Sequence, residues 1–223
     1  MGTNRKIKEV QNMKKILLTC FDPFGDETIN PSQLAVAKLP DKIAGAKIIK
    51  LEVPTIFKKS KAILYEMLKK EMPDAVICIG QAGGRSNISV ERVAINIDDA
   101  RIPDNEGAQP IDEPVVGDGP AAYFSTLPIK AIVQNCNHRG ISAAISNTAG
   151  TFVCNHLMYA ACHYAEKFQP NLKAGFIHIP FVPEQIIDKP QMPAMTCTEI
   201  VDGLESMVKT VIEVKEDVLT TTL

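Results

Sequence analysis

A cysteine placed where a strand gives way to a helix is the group in this sequence best suited to covalent chemistry. Ile141–Ile145 is apolar and predicts a strand. Ser146-Asn147-Thr148-Ala149-Gly150-Thr151 is small and polar. Val153–Phe168, with Leu157, Met158, Ala161 and Tyr164 at helical spacing, predicts a helix. Cys154 therefore falls at or just inside a helix N-terminus. There, unpaired N–H groups and the positive end of the macrodipole favour a thiolate and lower the thiol pKa. The same N–H groups can receive the oxyanion of an attacked carbonyl. The other reading of this residue is a small buried hydrophobe, the commonest fate of a free cysteine.

A thiol nucleophile needs a base, and the base needs a group to orient it. Of the four histidines, His138 and His163 lie in polar helical contexts and read as surface groups. His156 is two residues beyond Cys154 and faces a different side of the helix, because residues two apart do not share a face. His178 lies in the apolar strand Ala174–Ile179, which Pro180 stops; it is either a satisfied core histidine or a site residue. A carboxylate is offered by Asn87–Ile97, where apolar residues sit at even positions (Ile88, Val90) and then at odd ones (Val93, Ile95, Ile97). A bulge at Glu91-Arg92 would turn Glu91 inward, whereas a plain strand would leave it an exposed acid.

Two rival chemistries fit poorly. Cys136-Asn137-His138 and Cys154-Asn155-His156 match no structural zinc spacing, and no second ligand pair follows. Gly80-Gln81-Ala82-Gly83-Gly84 lacks both the Lys-Ser/Thr of a P-loop and the glycine spacing of a dinucleotide fold.

The elements that must position these groups alternate. Strands are predicted at 16–20, 46–53, 75–79, 141–145 and 174–179. Helices are predicted after Asn30-Pro31, over 57–72, 128–136 and 153–168, and from Thr196, where Glu199 completes a capping box. This alternation implies an α/β domain, a mainly parallel twisted sheet with helices on both faces. Sites in such sheets lie beyond the carboxyl ends of the strands, so Cys154, Phe21–Gly25 and Gly80–Gly84 are expected to share one crevice. Residues 98–120 are rich in Asp, Gly and Pro without a period, which reads as a functional lid or contact surface.

Composition bounds the rest. A chain of 223 residues, 45% hydrophobic and 22% charged, with a net charge of −2, reads as one globular domain over 13–223. The charge and the few aromatics exclude a nucleic-acid footprint, and no apolar run is long enough to span a bilayer. Residues 1–12 are polar and basic, not a secretory signal, and read as a flexible extension or cloning remnant. Cys20, Cys78, Cys136, Cys154, Cys162 and Cys197 form no Cys-x-x-Cys pair, which suits reduced thiols in the cytoplasm.

Several stretches, taken together and in order, resemble pyroglutamyl peptidase I, the pyrrolidone-carboxylate peptidase family of cysteine peptidases. They are Phe21-Asp22-Pro23-Phe24-Gly25 with Asn30-Pro31-Ser32, Gly80–Arg85, Glu91–Asn96, Asn147–Asn155 and His178-Ile179-Pro180. The resemblance runs from about Met13 to the end. It implies a three-layer α/β/α sandwich, a homotetramer, no metal or other cofactor, and N-terminally pyroglutamylated peptides as substrates. It also implies Cys154 as nucleophile, His178 as base, Glu91 as the third member and Arg101 at the oxyanion site. Phe21, Phe24, Phe152 and Val153 would wall the pyroglutamyl pocket, with Gln81 in the loop that meets the lactam. Two departures, Cys20 and Asp26 where relatives carry glycine, would lie near that pocket. The readings set against it are a non-catalytic α/β module gripping a small cyclic amide or nucleoside-like ligand with Phe21, Phe24 and Gln81, and a nucleoside phosphorylase-type enzyme.

Overall fold

The computed structural model describes residues 13–218; the expectation for residues 1–12 lies outside the described residues. A seven-stranded sheet has the order β2-β3-β1-β4-β9-β5-β8. Its strands are β1 (Lys15–Phe21), β2 (Lys42–Ile43), β3 (Ala46–Val53), β4 (Ala75–Gln81), β5 (Ile88–Glu91), β8 (Ala143–Ser146) and β9 (Lys173–Ile179). The pairs β1–β3, β1–β4, β4–β9 and β5–β8 are parallel, while β2–β3 and β5–β9 are antiparallel. Strands β6 (Val93–Ile95) and β7 (Ala122–Phe124) form a separate antiparallel pair.

Helices cover both faces, which divides the core into two layers. On one side α1 (Pro31–Lys38), α3 (Ile129–His138) and α5 (Cys197–Glu213) bury Val36, Ile132 and Leu204 against Leu18, Ile77 and Ile177. On the other, α2 (Phe57–Glu71) and α4 (Val153–Phe168) bury Leu64, Leu157 and Met158 against Leu17, Val76 and Phe176. The alternation in the central strands is thus apolar on both faces, as a sandwiched sheet requires. Local signals end the elements as expected: Asn30 accepts from Ser32 N ahead of Pro31, and Thr196 and Glu199 close a reciprocal capping box.

Two expectations need correction. The strand expected over 141–145 begins two residues later, because Ile141 N–H bonds back to Cys136 and the Asn137 amide pairs with both backbone groups of Ala143. The parity break at Glu91-Arg92 is not a bulge. The chain leaves one sheet at Glu91 and enters another at Val93, and it is Ala94, between Val93 and Ile95, that is buried there. In residues 98–120, Ala100, Asp104 and Val115 are buried, and Asp104 accepts from the N–H groups of Phe57, Glu106 and Ala108.

Candidate active site

Cys154 is the second residue of α4, whose N-cap, Phe152, makes no side-chain capping bond. No capping side chain therefore competes for the N–H groups of the first turn, which are left to a ligand. The strand before it, β8, runs opposite to β4 and β9, so Cys154 is not simply at its own strand's carboxyl end. The turn 147–152 carries the chain across instead. It is braced by Gly150 at φ +78°, by Gly150 N–H to Thr148 Oγ1, and by Thr151 Oγ1 donating to Asp99 O at 2.7 Å. The sulfur arrives over Gly80 of β4: a Cβ at Gly80 would lie 3.0 Å from it and 2.8 Å from the Phe176 ring. Only glycine permits that approach.

Gly80 is paired in register with His178 of β9. His178 is buried, and its Nδ1 lies 2.7 Å from Glu91 Oε1. Glu91 sits one pleat further along the antiparallel neighbour β5, on the same face, because Ser89 is the residue opposite His178. It is fully buried, and the same oxygen accepts from Arg85 Nη1 at 2.6 Å. Arg85 Nη2 donates to Thr148 O, in the turn that delivers Cys154.

Burial alone would raise the Glu91 carboxyl, but the hydrogen bond and charge of His178, with Arg85, hold it below the usual range. Burial pushes His178 below the ordinary imidazole value; Glu91 opposes this and Arg85 adds to it. The imidazole is therefore neutral near pH 7, and its Nδ1–H faces a carboxylate. Cys154 departs from the lowered thiol pKa expected at a helix start. Burial, then the negative charge of Glu91, pushes it up to about 12, with Arg85 opposing. The helix terminus acts in the other sense. The resting thiol holds its proton until a base removes it.

Comparison with known proteins identifies the family. A family model described as pyroglutamyl peptidase matches residues 14–214. The pyrrolidone-carboxylate peptidase of Alkaliphilus oremlandii is 58% identical over 204 residues, 92% of this chain and 96% of that protein. The one from Streptococcus pyogenes serotype M4 is 57% identical over 91% of this chain and 94% of its own length. The chain belongs to the pyroglutamyl peptidase family. Its fold superimposes on the crystal structure of pyroglutamyl peptidase I from Bacillus amyloliquefaciens with a TM-score of 0.91, at 48% identity, over 94% of this chain and all of that one. A mutant pyrrolidone carboxyl peptidase from Pyrococcus furiosus gives 0.86 at 42% identity, over 89% of this chain and 98% of that one.

The family's other expected site residues fall in different places here. Phe24 and Phe152 are half-buried and pack together, ring centroids 6.1 Å apart, with Phe57 edge-on to Phe152. They form an aromatic wall beside the start of α4. Phe21 and Val153 are core residues, and the Phe21 ring stands 6.3 Å from that of Phe176. Gln81 is the last residue of β4 rather than part of a loop, and its Oε1 accepts from Gln185 Nε2. By strand alternation its side chain leaves the sheet on the face opposite to Gly80 and Cys154. Arg101 is exposed and bonds to none of Cys154, His178 and Glu91. Cys20 is buried in the opposite layer, its thiol pushed up to about 12 by burial and Glu52, so it does not border Cys154. Asp26 is exposed in the turn after Phe24.

Residue types and spacing give Arg85 no role beyond its motif, yet it reaches Glu91. The side chain of Asn155 is spent entirely on β6 and its end, accepting from Ile95 N–H and donating to Ile95 O and Ile97 O. His156 does point away from Cys154 and is buried against Asp98, Nδ1 to Oδ2 2.7 Å. His163 is only half-buried and its Nδ1 pairs with Tyr123 Oη. Among the described residues no three His, Cys, Asp or Glu side chains converge as metal ligands.

Proposed function

We propose that this chain is a cysteine exopeptidase that removes an N-terminal pyroglutamyl residue from peptides and proteins. The observation that carries the reading is the buried Glu91–His178 pair in register with Gly80, over which the Cys154 sulfur sits.

Glu91 accepts from Nδ1–H and leaves the Nε2 lone pair of His178 for the thiol. His178 takes the Cys154 proton as the sulfur attacks the pyroglutamyl carbonyl carbon, so no free thiolate is needed in advance. The tetrahedral oxyanion is received by N–H groups of the uncapped first turn of α4. Collapse breaks the C–N bond, and His178 gives its proton to the departing amine. Water then attacks the thioester; His178 accepts its proton and returns one to sulfur as pyroglutamate leaves. Arg101 enters only if it moves in on substrate binding.

A pyroglutamyl ring is flat and uncharged, with one amide donor and one acceptor. The Phe24–Phe152 wall, with Phe21 and Val153 as floor, suits such a ring. A site built around a lactam rejects proline strongly, because its polar partners would be left unpaired. The test is release of a chromogenic amine from a pyroglutamyl amide, with prolyl and glutaminyl amides as controls. Release from pyroglutamyl alone, abolished by iodoacetamide, is the expected result. No release refutes the reading, and a phosphate requirement would favour a phosphorylase.

The proposal extends to a cytoplasmic homotetramer. Six unpaired thiols support a reducing compartment, and exposed Phe124, Phe168 and Ile187 offer apolar surface for association. Cell fractionation tests the first; light scattering giving only the monomer mass would end the second.

A further inference from the structure

We propose that Arg85 is a positioning residue of this reaction, the permanent counter-charge of Glu91 and the tie between that acid and the turn that delivers Cys154. The inference rests on the Cys154–His178–Glu91 assignment above.

Glu91 is fully buried, and a buried carboxylate needs a cation or neutralises itself. His178 cannot serve as that cation while it acts as base, because a base must be neutral. Arg85 resolves the conflict. Its guanidinium is always charged, and its Nη1 lies 2.6 Å from the same Oε1 that His178 uses; Ser146 is the other side chain that favours the carboxylate, and it is neutral. The second nitrogen, Nη2, donates to Thr148 O at 3.3 Å, so one planar group spans the acid and the nucleophile's turn.

The glycine-rich stretch gains a purpose from this. It is the short connection from β4 to β5 that brings Arg85 back over the site. Gly84 takes φ +87°, and a Cβ at Gly83 would lie 2.2 Å from the Phe181 ring. Both positions exclude other residues, and together they set where Arg85 starts.

The charged groups acting on His178 are Glu91 from β5 and Arg85 from the connecting loop; Cys154 from α4 feels the same two, with Cys78 of β4 beside it. Removing the guanidinium leaves Glu91 anionic with only the imidazole to neutralise it. The pair then keeps a proton, as imidazolium and carboxylate, to higher pH. Removing Glu91 has the opposite sign, because it strips His178 of the group that favours its cation.

The experiment compares Arg85→Met and Arg85→Lys with wild type. For Arg85→Met, kcat/KM should fall about tenfold to a hundredfold at neutral pH, recover in part at alkaline pH, and show its acid limb moved up. Arg85→Lys keeps the charge but loses the fork to Thr148. Its acid limb should stay near wild type, with a smaller, pH-independent loss. Should Arg85→Met fail to fold, Arg85→Lys still decides, since a limb displaced despite the retained charge overturns the proposal. So does an Arg85→Met limb that superimposes on wild type or moves down. The alkylation rate of Cys154 by iodoacetamide, resolved by peptide mass, follows the same titration without substrate. If those rates shift with Arg85→Met while wild type releases no amine, the peptidase reading fails and the Arg85 assignment stands.

Discussion

Two histidines in this molecule are each held at 2.7 Å by a buried carboxylate, and they differ in what lies around the pair. His178 with Glu91 shares its acid with Arg85 and lies in register with Gly80, over which the Cys154 sulfur sits. His156 with Asp98 has no arginine, and its Nε2 is buried without a partner, the ring edge-on to Phe57. Asp98 exchanges backbone hydrogen bonds with Glu113 and so closes the 98–120 segment. The second pair therefore fastens that segment to α4. Two nearly identical acid–imidazole contacts do different work because a base is defined by what its free nitrogen can reach.

The comparison is broken most severely by removing the groups that only the first pair serves. Cys154→Ser and His178→Ala should each lower kcat/KM by about a thousandfold or more with the fold intact, since a hydroxyl is a far poorer nucleophile and the base is lost. Near-normal turnover in either variant, its sequence verified, would move the chemistry elsewhere.

Glu91→Gln keeps shape and loses charge. Turnover should fall about tenfold to a hundredfold, less than for the first two variants, and the acid limb of the pH–rate profile should move down. The sign follows from Glu91 raising a histidine that burial has lowered. Superimposable profiles would reduce the site to Cys154 and His178. The limb should move opposite to that of Arg85→Met, which makes the two variants a matched pair.

Asp98→Asn sharpens the contrast from the other side. The acid limb should stay in place and kcat/KM within about twofold. Stability should drop by about 1–3 kcal/mol, read from urea unfolding, as a buried charged hydrogen bond becomes a neutral one. A shifted limb would show that the second pair takes part in the reaction.

Much of this arrangement could be read from residue order. Asn30-Pro31, Thr196–Glu199 and the helix over 153–168 are local signals, resolved by caps and period within one turn, and they held. Cys154 at a helix start followed from the same kind of evidence. The inward turn of Glu91 was suspected from a parity break, for the wrong reason: the break marks passage between two sheets.

The amino-acid sequence by itself thus determined the elements, their two-faced apolar pattern and which residue types were available for thiol chemistry. Tertiary structure alone decided which ones met. Strand order put β9 between β4 and β5, so His178 has Gly80 on one side and reaches Glu91 diagonally on the other, a pairing that separations of 98 and 87 residues do not advertise. It also brought Arg85, on the β4–β5 connection, onto Glu91 and the turn before Cys154. And it set the burial that pushes the Cys154 thiol up, because desolvation depends on everything packed around the sulfur and a dipole only on the helix itself.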